Sequence, residues 1–198
     1  MPRIITAALA GLLATVFSAS ALDFNSEAPG SFASSVTEPA TVTDLRISGP
    51  VDASDLCFIG RTMTALTRLD LSAASIASYS GEAINGLGNY DANTIPTGAF
   101  AGTPISKITL PATPGLRIGD AAFAGSAIKE LSIPSTVAFI GQGSFSGCKT
   151  LEKLTLCGSY TSPGYAFSQC ASLNSIDIKA PVAIADADFS GCTLLEKT

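Results

Sequence analysis

The chain has 198 residues, no histidine, no tryptophan, 14% charged residues and a formal net charge of −5. Ordinary soluble domains carry roughly 25% charge. Without histidine there is no imidazole base, no Ser-His or Cys-His nucleophile pair and no His-ligated metal site. An acidic chain with scattered Lys and Arg also lacks the footprint for nucleic acid or an anionic membrane.

In chain order, residues 1–21 read as a cleavable signal peptide. Arg3 and the free amine form a positive start, Ile4 to Phe17 an apolar run, and Ala19-Ser20-Ala21 a small-x-small cleavage site. The run is shorter than the about 20 residues of a spanning helix, and a retained signal anchor is the alternative reading. Cleavage leaves 198 − 21 = 177 residues, enough for one domain with a sizeable core and no membrane span. Residues 22–41, rich in Ser, Ala, Pro and Glu, read as a loose lead-in or an N-terminal cap. Residues 42–94 read as irregular repeat-like coils. Their alternation predicts strands at Val42–Ile47 and Leu66–Leu71, and Asp52 is placed to cap a short helix reaching Met63. A polar, turn-rich insertion, Gly81 to Thr94, lengthens one coil.

From residue 95 to 198 the chain repeats regularly. Phe100, Phe123, Phe145, Phe167 and Phe189 recur at spacings of 23, 22, 22 and 22. Five residues before them stand Ile95, Ile118, Ile140, Ser162 and Ile184; two residues after stand Gly102, Gly125, Gly147, Gln169 and Gly191. Each complete unit closes on alternating apolar residues: Ile108 with Leu110, Leu131 with Ile133, Leu154 with Leu156, and Ile176 with Ile178. Periods of 20–29 residues with one strand per coil indicate a leucine-rich-repeat solenoid. The expected fold class is therefore α/β, with a parallel β-sheet on one face and irregular or short helical turns on the other. The phenylalanines should stack inside, and the following glycine should adopt positive φ in a tight turn.

The units Ile118-Gly-Asp-Ala-Ala-Phe-Ala-Gly-Ser-Ala-Ile-Lys-Glu-Leu-Ser-Ile-Pro134 and Ile140-Gly-Gln-Gly-Ser-Phe-Ser-Gly-Cys-Lys-Thr-Leu-Glu-Lys-Leu-Thr-Leu156 resemble BspA-like leucine-rich repeats. The segment Leu45 to Leu71 resembles the leader that precedes such repeats in secreted proteins of Bacteroides-type bacteria. The resemblance implies a secreted or cell-surface protein that binds a protein or glycoconjugate ligand, host-derived in some members. It implies no catalytic residue and no cofactor. Two departures stand out: the unit at Phe167 lacks the isoleucine and the glycine, and Thr198 falls where another strand should begin. The second implies either a longer gene product or an end covered by a partner.

Of the five cysteines, Cys148, Cys170 and Cys192 stand three residues after a repeat phenylalanine, where earlier coils have Thr103 and Ser126. They read as small residues lining the turn, with a Cys148–Cys170 or Cys170–Cys192 disulfide as the alternative. Ser126 with Lys129 and Ser146 with Lys149 match S-x-x-K, but at different repeat phases and with no K-T-G partner. Asn89, Asp91 and Asn93 imitate the start of a calcium loop that lacks its glycine and closing glutamate. Asp186 and Asp188 are a carboxylate pair read as exposed convex-side residues.

The expected binding surface is the outward face of the sheet. Alternation puts Arg46, Asp70, Thr109, Ser132, Thr155 and Asp177 in one column, and Arg68, Lys107, Glu130, Lys153 and Ser175 in the next. The insertion, with Tyr79 and Tyr90, is the competing contact site. The resulting reading is a non-catalytic binding or adhesion module. The alternatives are a repeat region of a larger exported enzyme, or a structural surface spacer.

Overall fold

The computed structural model describes residues 3–6, 21–185 and 187–195. The signal-peptide reading of residues 1–21 falls largely outside the described residues. Those that belong to it are a short strand, β1 (Arg3–Thr6), which runs parallel to β2 (Ala21–Asn25), and Ala21 itself.

The described chain is strand-rich, with few helices. In the first sheet β2 is followed by β3 (Asp44–Val51), β4 (Arg68–Ile76) and β8 (Lys107–Thr109), all parallel. A second parallel sheet holds β10 (Glu130–Ile133), β12 (Lys153–Leu156) and β13 (Ser175–Ile178). The partner of each strand residue lies one repeat away: Leu22 with Leu45, Leu45 with Leu69, Leu131 with Leu154, Leu154 with Ile176. This register puts like residue on like residue. Leu45, Leu69, Leu131 and Leu154 are all buried, so the apolar face of each strand is covered by the coils around it.

Residues 22–41 are not a loose lead-in. Leu22 and Phe24 on β2 are buried and paired with Leu45 and Ile47, so this segment forms a further coil. Its turn carries α1 (Phe32–Ser35) and a 3-10 turn, Pro39–Thr41. Phe32 packs edge-on against Phe24 at 4.7 Å and against Phe58 at 6.2 Å. The helix predicted after Asp52 forms as α2 (Ala53–Thr62). Asp52 accepts from the N–H groups of Ser54 and Asp55, and Asp55 returns the bond to the Asp52 N–H. This reciprocal cap satisfies donors that the helix start would otherwise leave open.

In the regular region the opposite face departs from the expected irregular or helical turns. In three coils a second strand forms there: β7 (Thr94–Ile95), β9 (Leu116–Ile118) and β11 (Val137–Ile140) pair in parallel. Among the described residues from 95 onward no α-helix occurs. Each extended segment bonds directly to its neighbour in the adjacent coil, which satisfies its backbone groups without a helix. The insertion is likewise structured, as an antiparallel hairpin of β5 (Tyr79–Ile84) and β6 (Leu87–Tyr90). Its turn is Asn85-Gly86, both at positive φ (51° and 87°), the chemistry a two-residue hairpin requires.

Between the two strands of the coils that carry both lies the phenylalanine turn, at Phe100, Phe123 and Phe145. Phe100, Phe123, Phe145, Phe167 and Phe189 stack in sequence, with centroids 5.2, 5.2, 5.4 and 5.4 Å apart. The N–H groups of Phe100, Phe123, Phe145 and Phe167 donate to the next coil, as from Phe123 to the Ser144 carbonyl at 2.7 Å and from Phe145 to the Ala166 carbonyl at 2.8 Å. Glycines 102, 125, 147 and 191 are all left-handed (φ 67–77°), and Gln169 takes the same conformation at φ 59°. The residue two before each phenylalanine is left-handed too: Gly98, Ala121, Gly143, Tyr165 and Ala187.

Helix α2 approaches this ladder at Gly60. A Cβ added there would collide with the Ala99 carbonyl oxygen and crowd the Phe100 ring. Gly60→Ala is expected to destabilise the fold by about 1–3 kcal/mol through overpacking, against the helix-propensity gain of about 1 kcal/mol. A urea unfolding midpoint equal to or above wild type would show that the helix can shift away.

Candidate functional site

The parallel register assembles the outward side chains into the two expected columns. On the first sheet Arg46 lies opposite Asp70, and Asp70 opposite Thr109; in the next column Asp44, Arg68 and Lys107 stand in line. On the second sheet Glu130, Lys153 and Ser175 line up, beside Ser132, Thr155 and Asp177. The two sheets meet where the Lys129 N–H donates to the Ser106 carbonyl at 3.1 Å. Arg46, Arg68, Asp70, Lys107 and Thr109 thus line up within the first sheet, and Glu130, Ser132, Lys153, Thr155 and Asp177 within the second.

Ion pairs knit part of this surface. Arg46 bonds Asp70 at 3.1 Å, Arg68 bonds Asp44 at 3.3 Å, and Lys153 bonds Glu130 at 3.1 Å. At the last strand Asp177 pairs with Lys179 at 2.6 Å. Burial raises the Asp70 carboxyl, but bonds from Ser72 and Arg46 outweigh it and hold the group below its ordinary value. Its contribution to stability is thus present above the ordinary carboxylate range and lost as pH falls through the lowered value. Among the described residues, Lys107 and Lys129 have no ion-pair partner.

Two shallow depressions mark the face. One, of about 420 Å³, lies over β2, β3, β4 and β8, with Asp23, Asp44, Arg46, Arg68, Asp70 and Lys107 around it. The other, of about 550 Å³, spans the junction of the sheets, between Lys107, Lys129, Glu130, Glu152 and Lys153. Sequence reasoning missed Asp23, Asp44, Lys129 and Glu152. Asp44 was accessible from its spacing, two residues before Arg46 on the same strand face. Lys129 and Glu152 precede the strands by one residue, where alternation carries no information.

The insertion buries Ile84 and Tyr90 and leaves most of its other side chains exposed. Tyr90 is buried and donates its hydroxyl to the Ile84 carbonyl at 2.8 Å, and the Tyr79 hydroxyl donates to the Glu82 carbonyl at 3.0 Å. Arg61 of α2 binds the hairpin tip through the Asn85 amide oxygen at 2.6 Å. Tyr90 is therefore held inside the hairpin, whereas Tyr79 stays half-exposed.

The other constellations resolve into structure. The Ser126 hydroxyl lies 3.3 Å from the Cys148 sulfur and the Ser146 hydroxyl 2.8 Å from that of Ser168, so each is engaged with the neighbouring coil. Asn89 sits in β6 opposite Ser80, and among the described residues no cluster of His, Cys, Asp or Glu suits a metal ion. Asp186 lies outside the described residues. Asp188, expected on the exposed convex side, is buried instead. It accepts from the N–H groups of Ala166 (2.9 Å) and Ala185 (3.1 Å) and from the Ser162 hydroxyl (3.3 Å). The irregular unit at Ser162 leaves the Ala166 donor without the turn carbonyl that its equivalents Ala122 and Ser144 use, and the Asp188 side chain replaces it.

The ladder cysteines are free thiols inside the turn. The sulfurs of Cys148, Cys170 and Cys192 each donate to the phenylalanine carbonyl of the preceding coil at 3.2 Å. Hydrogen bonds with the flanking thiols, together with burial, push the Cys170 thiol well up, and burial pushes Cys57 up to about 11. Only the thiolate reacts. The hydrogen bond with Cys170 holds the Cys148 thiol down at about 7, but Cys148 is buried from reagents like Cys57, Cys170 and Cys192. Five thiols are expected to titrate in denaturant, and in the folded protein only the half-exposed Cys157 at an appreciable rate. Three titratable thiols in denaturant would instead establish a disulfide along the ladder.

Comparison with curated protein sequences finds no match to this chain. The model of the BspA type leucine rich repeat region matches residues 91–198 as six copies. These are the residues whose phenylalanine turns and paired strands stack coil on coil, and the chain belongs to the BspA-type leucine-rich-repeat family.

Proposed function

We propose that the coils wind as one leucine-rich-repeat solenoid, and that the chain is an exported or surface-displayed binding module. Its sheet face holds a protein or glycoconjugate, host-derived where the bearer lives on a host. The observation that carries this reading is the alignment of outward side chains across strands, which makes one extended polar surface from residues far apart in sequence. Such surfaces are what stacked-repeat proteins use for binding. Lys107 and Lys129, beside the depression at the sheet junction, offer cations that no carboxylate among the described residues pairs with. No helix among the described residues is long and apolar enough to cross a membrane. The leader-like residues 1–21 support export, and the histidine-free composition supports a protein that holds its partner without transforming it.

The test is an array of extracellular-matrix proteins and glycans probed with the mature chain and with the Lys107→Glu, Lys153→Glu double variant. Reversal of two cations on the face is expected to weaken capture at least tenfold. Binding that survives the reversal removes the sheet face as the site.

A further inference from the structure

Among the described residues Lys107 alone lines both depressions of the sheet face. Across the strands it stands opposite Arg68, and like charges set directly opposite each other destabilise. Arg68 is drawn the other way, onto Asp44 at 3.3 Å. In the next coil the Glu130 carboxylate is held by Lys153 at 3.1 Å. Both carboxylates of this column are thus engaged, and the exposed Lys107 is left beside a cation. The neighbouring charges balance without it. Arg46 bonds Asp70 at 3.1 Å, and Lys129 stands opposite Glu152, whose N–H donates to the Lys129 carbonyl at 2.8 Å. Asp23, opposite Arg46 on β2, is three strand spacings from β8, roughly 14 Å away.

We propose, resting on the reading of the sheet face as a binding surface, that Lys107 seats the carboxylate of a terminal acidic sugar. That sugar is carried on an otherwise neutral glycan, which extends into both depressions. The distribution of charge selects a single carboxylate. Asp44, Asp70, Glu130 and Glu152 lie around Lys107 in the two depressions, so a repeating polyanion meets carboxylates on either side of the lysine. One carboxylate meets the ammonium alone, in a charge-assisted bond that also offsets the repulsion from Arg68.

The surroundings of the lysine suit sugar hydroxyls, which both donate and accept. Thr109 and Ser132 bring exposed hydroxyls to the two depressions. The Arg46–Asp70 and Lys153–Glu130 pairs set donor beside acceptor on either side. The outward columns contain no aromatic or large apolar side chain, the anchors on which protein partners depend. The chemistry of the face therefore favours a glycan over a protein.

Titration of the mature chain with sialyllactose, with lactose as the neutral probe and a heparin tetrasaccharide as the polyanion, tests this. Sialyllactose is expected to bind at least fivefold more tightly than lactose, and the heparin probe no more tightly than sialyllactose. Lys107→Gln should remove that fivefold preference and leave lactose unchanged. Its melting temperature should equal or exceed that of wild type, because the repulsion with Arg68 is gone. Lys149→Gln, in an exposed turn outside both depressions, should change none of these affinities. Equal binding of lactose, tighter binding of the heparin probe, or a sialyllactose preference that Lys107→Gln leaves intact overturns the proposal. Absence of sialyllactose binding overturns it too. Capture on the matrix array in that case retains the binding-module reading, and silence there removes both.

Discussion

Phe145→Ala is expected to lower the unfolding free energy by about 3–5 kcal/mol, the range for truncating a buried phenylalanine. Phe145 is fully buried and stacked on both sides, 5.2 Å from Phe123 and 5.4 Å from Phe167. Removing its ring strips one partner from each neighbour. The cavity cannot collapse easily, because the turn around it is pinned by backbone bonds to both adjacent coils. Phe189→Ala should cost clearly less, since that ring is half-buried and stacks on Phe167 alone among the described residues. Urea unfolding of the two variants checks the ladder. Equal losses, or an unchanged midpoint for Phe145→Ala, would mean that the stack is not what holds the coils.

Asp55→Ala is expected to cost about 3 kcal/mol or more, because it orphans three donors at roughly 1–3 kcal/mol each. The buried Asp55 carboxylate accepts from the N–H groups of Gly30 (2.7 Å), Phe32 (3.0 Å) and Asp52 (3.1 Å). It therefore caps α2 and ties the first turn to it, seating Phe32 against Phe24. Detachment of residues 26–36 should appear as new proteolytic cleavage there before global unfolding. Burial raises the Asp55 carboxyl above its ordinary value, and the three donors oppose this without cancelling it. A raised carboxyl contributes stability on the acid side that is lost as pH rises through the folded value. The stability difference between wild type and Asp55→Asn should accordingly narrow as pH rises through that window. A difference that widens would show that the donors outweigh burial.

The sequence made the repeat legible because burial acts on every coil at the same positions. From residue 95 to 156 the phenylalanines, the isoleucines five residues before them and the alternating strand residues all occupy the interior, where apolar side chains are favoured. The glycine two residues after the phenylalanine announced its own φ. Its counterpart two residues before did not, because Ala121, Tyr165 and Ala187 are not left-handed formers by preference. Their conformation is imposed by bonds between coils, such as that from the Ala121 N–H to the Gln142 carbonyl at 2.9 Å. Asp188 was misread for a related reason. Its neighbourhood in sequence is polar, and its burial follows from a defect one coil earlier, at Ser162.

The sheet face divides in the same way. Alternation along each strand determined which side chains point outward, since successive residues of a strand face opposite sides. Lys129 and Glu152 lie outside that rule, and only the packing of β8, β10 and β12 brings them to the same depression.

By itself the sequence determined the repeat, its register, the capped helix and the outward columns, all of which follow from local alternation and from recurrence at fixed spacing. Only the tertiary structure decided that residues 22–41 form a coil, that the opposite face is a second parallel sheet, and that the hairpin buries Tyr90. Each of these depends on backbone and hydroxyl groups finding partners more than 20 residues away or across a turn. Such pairing leaves no periodic mark on the side chains.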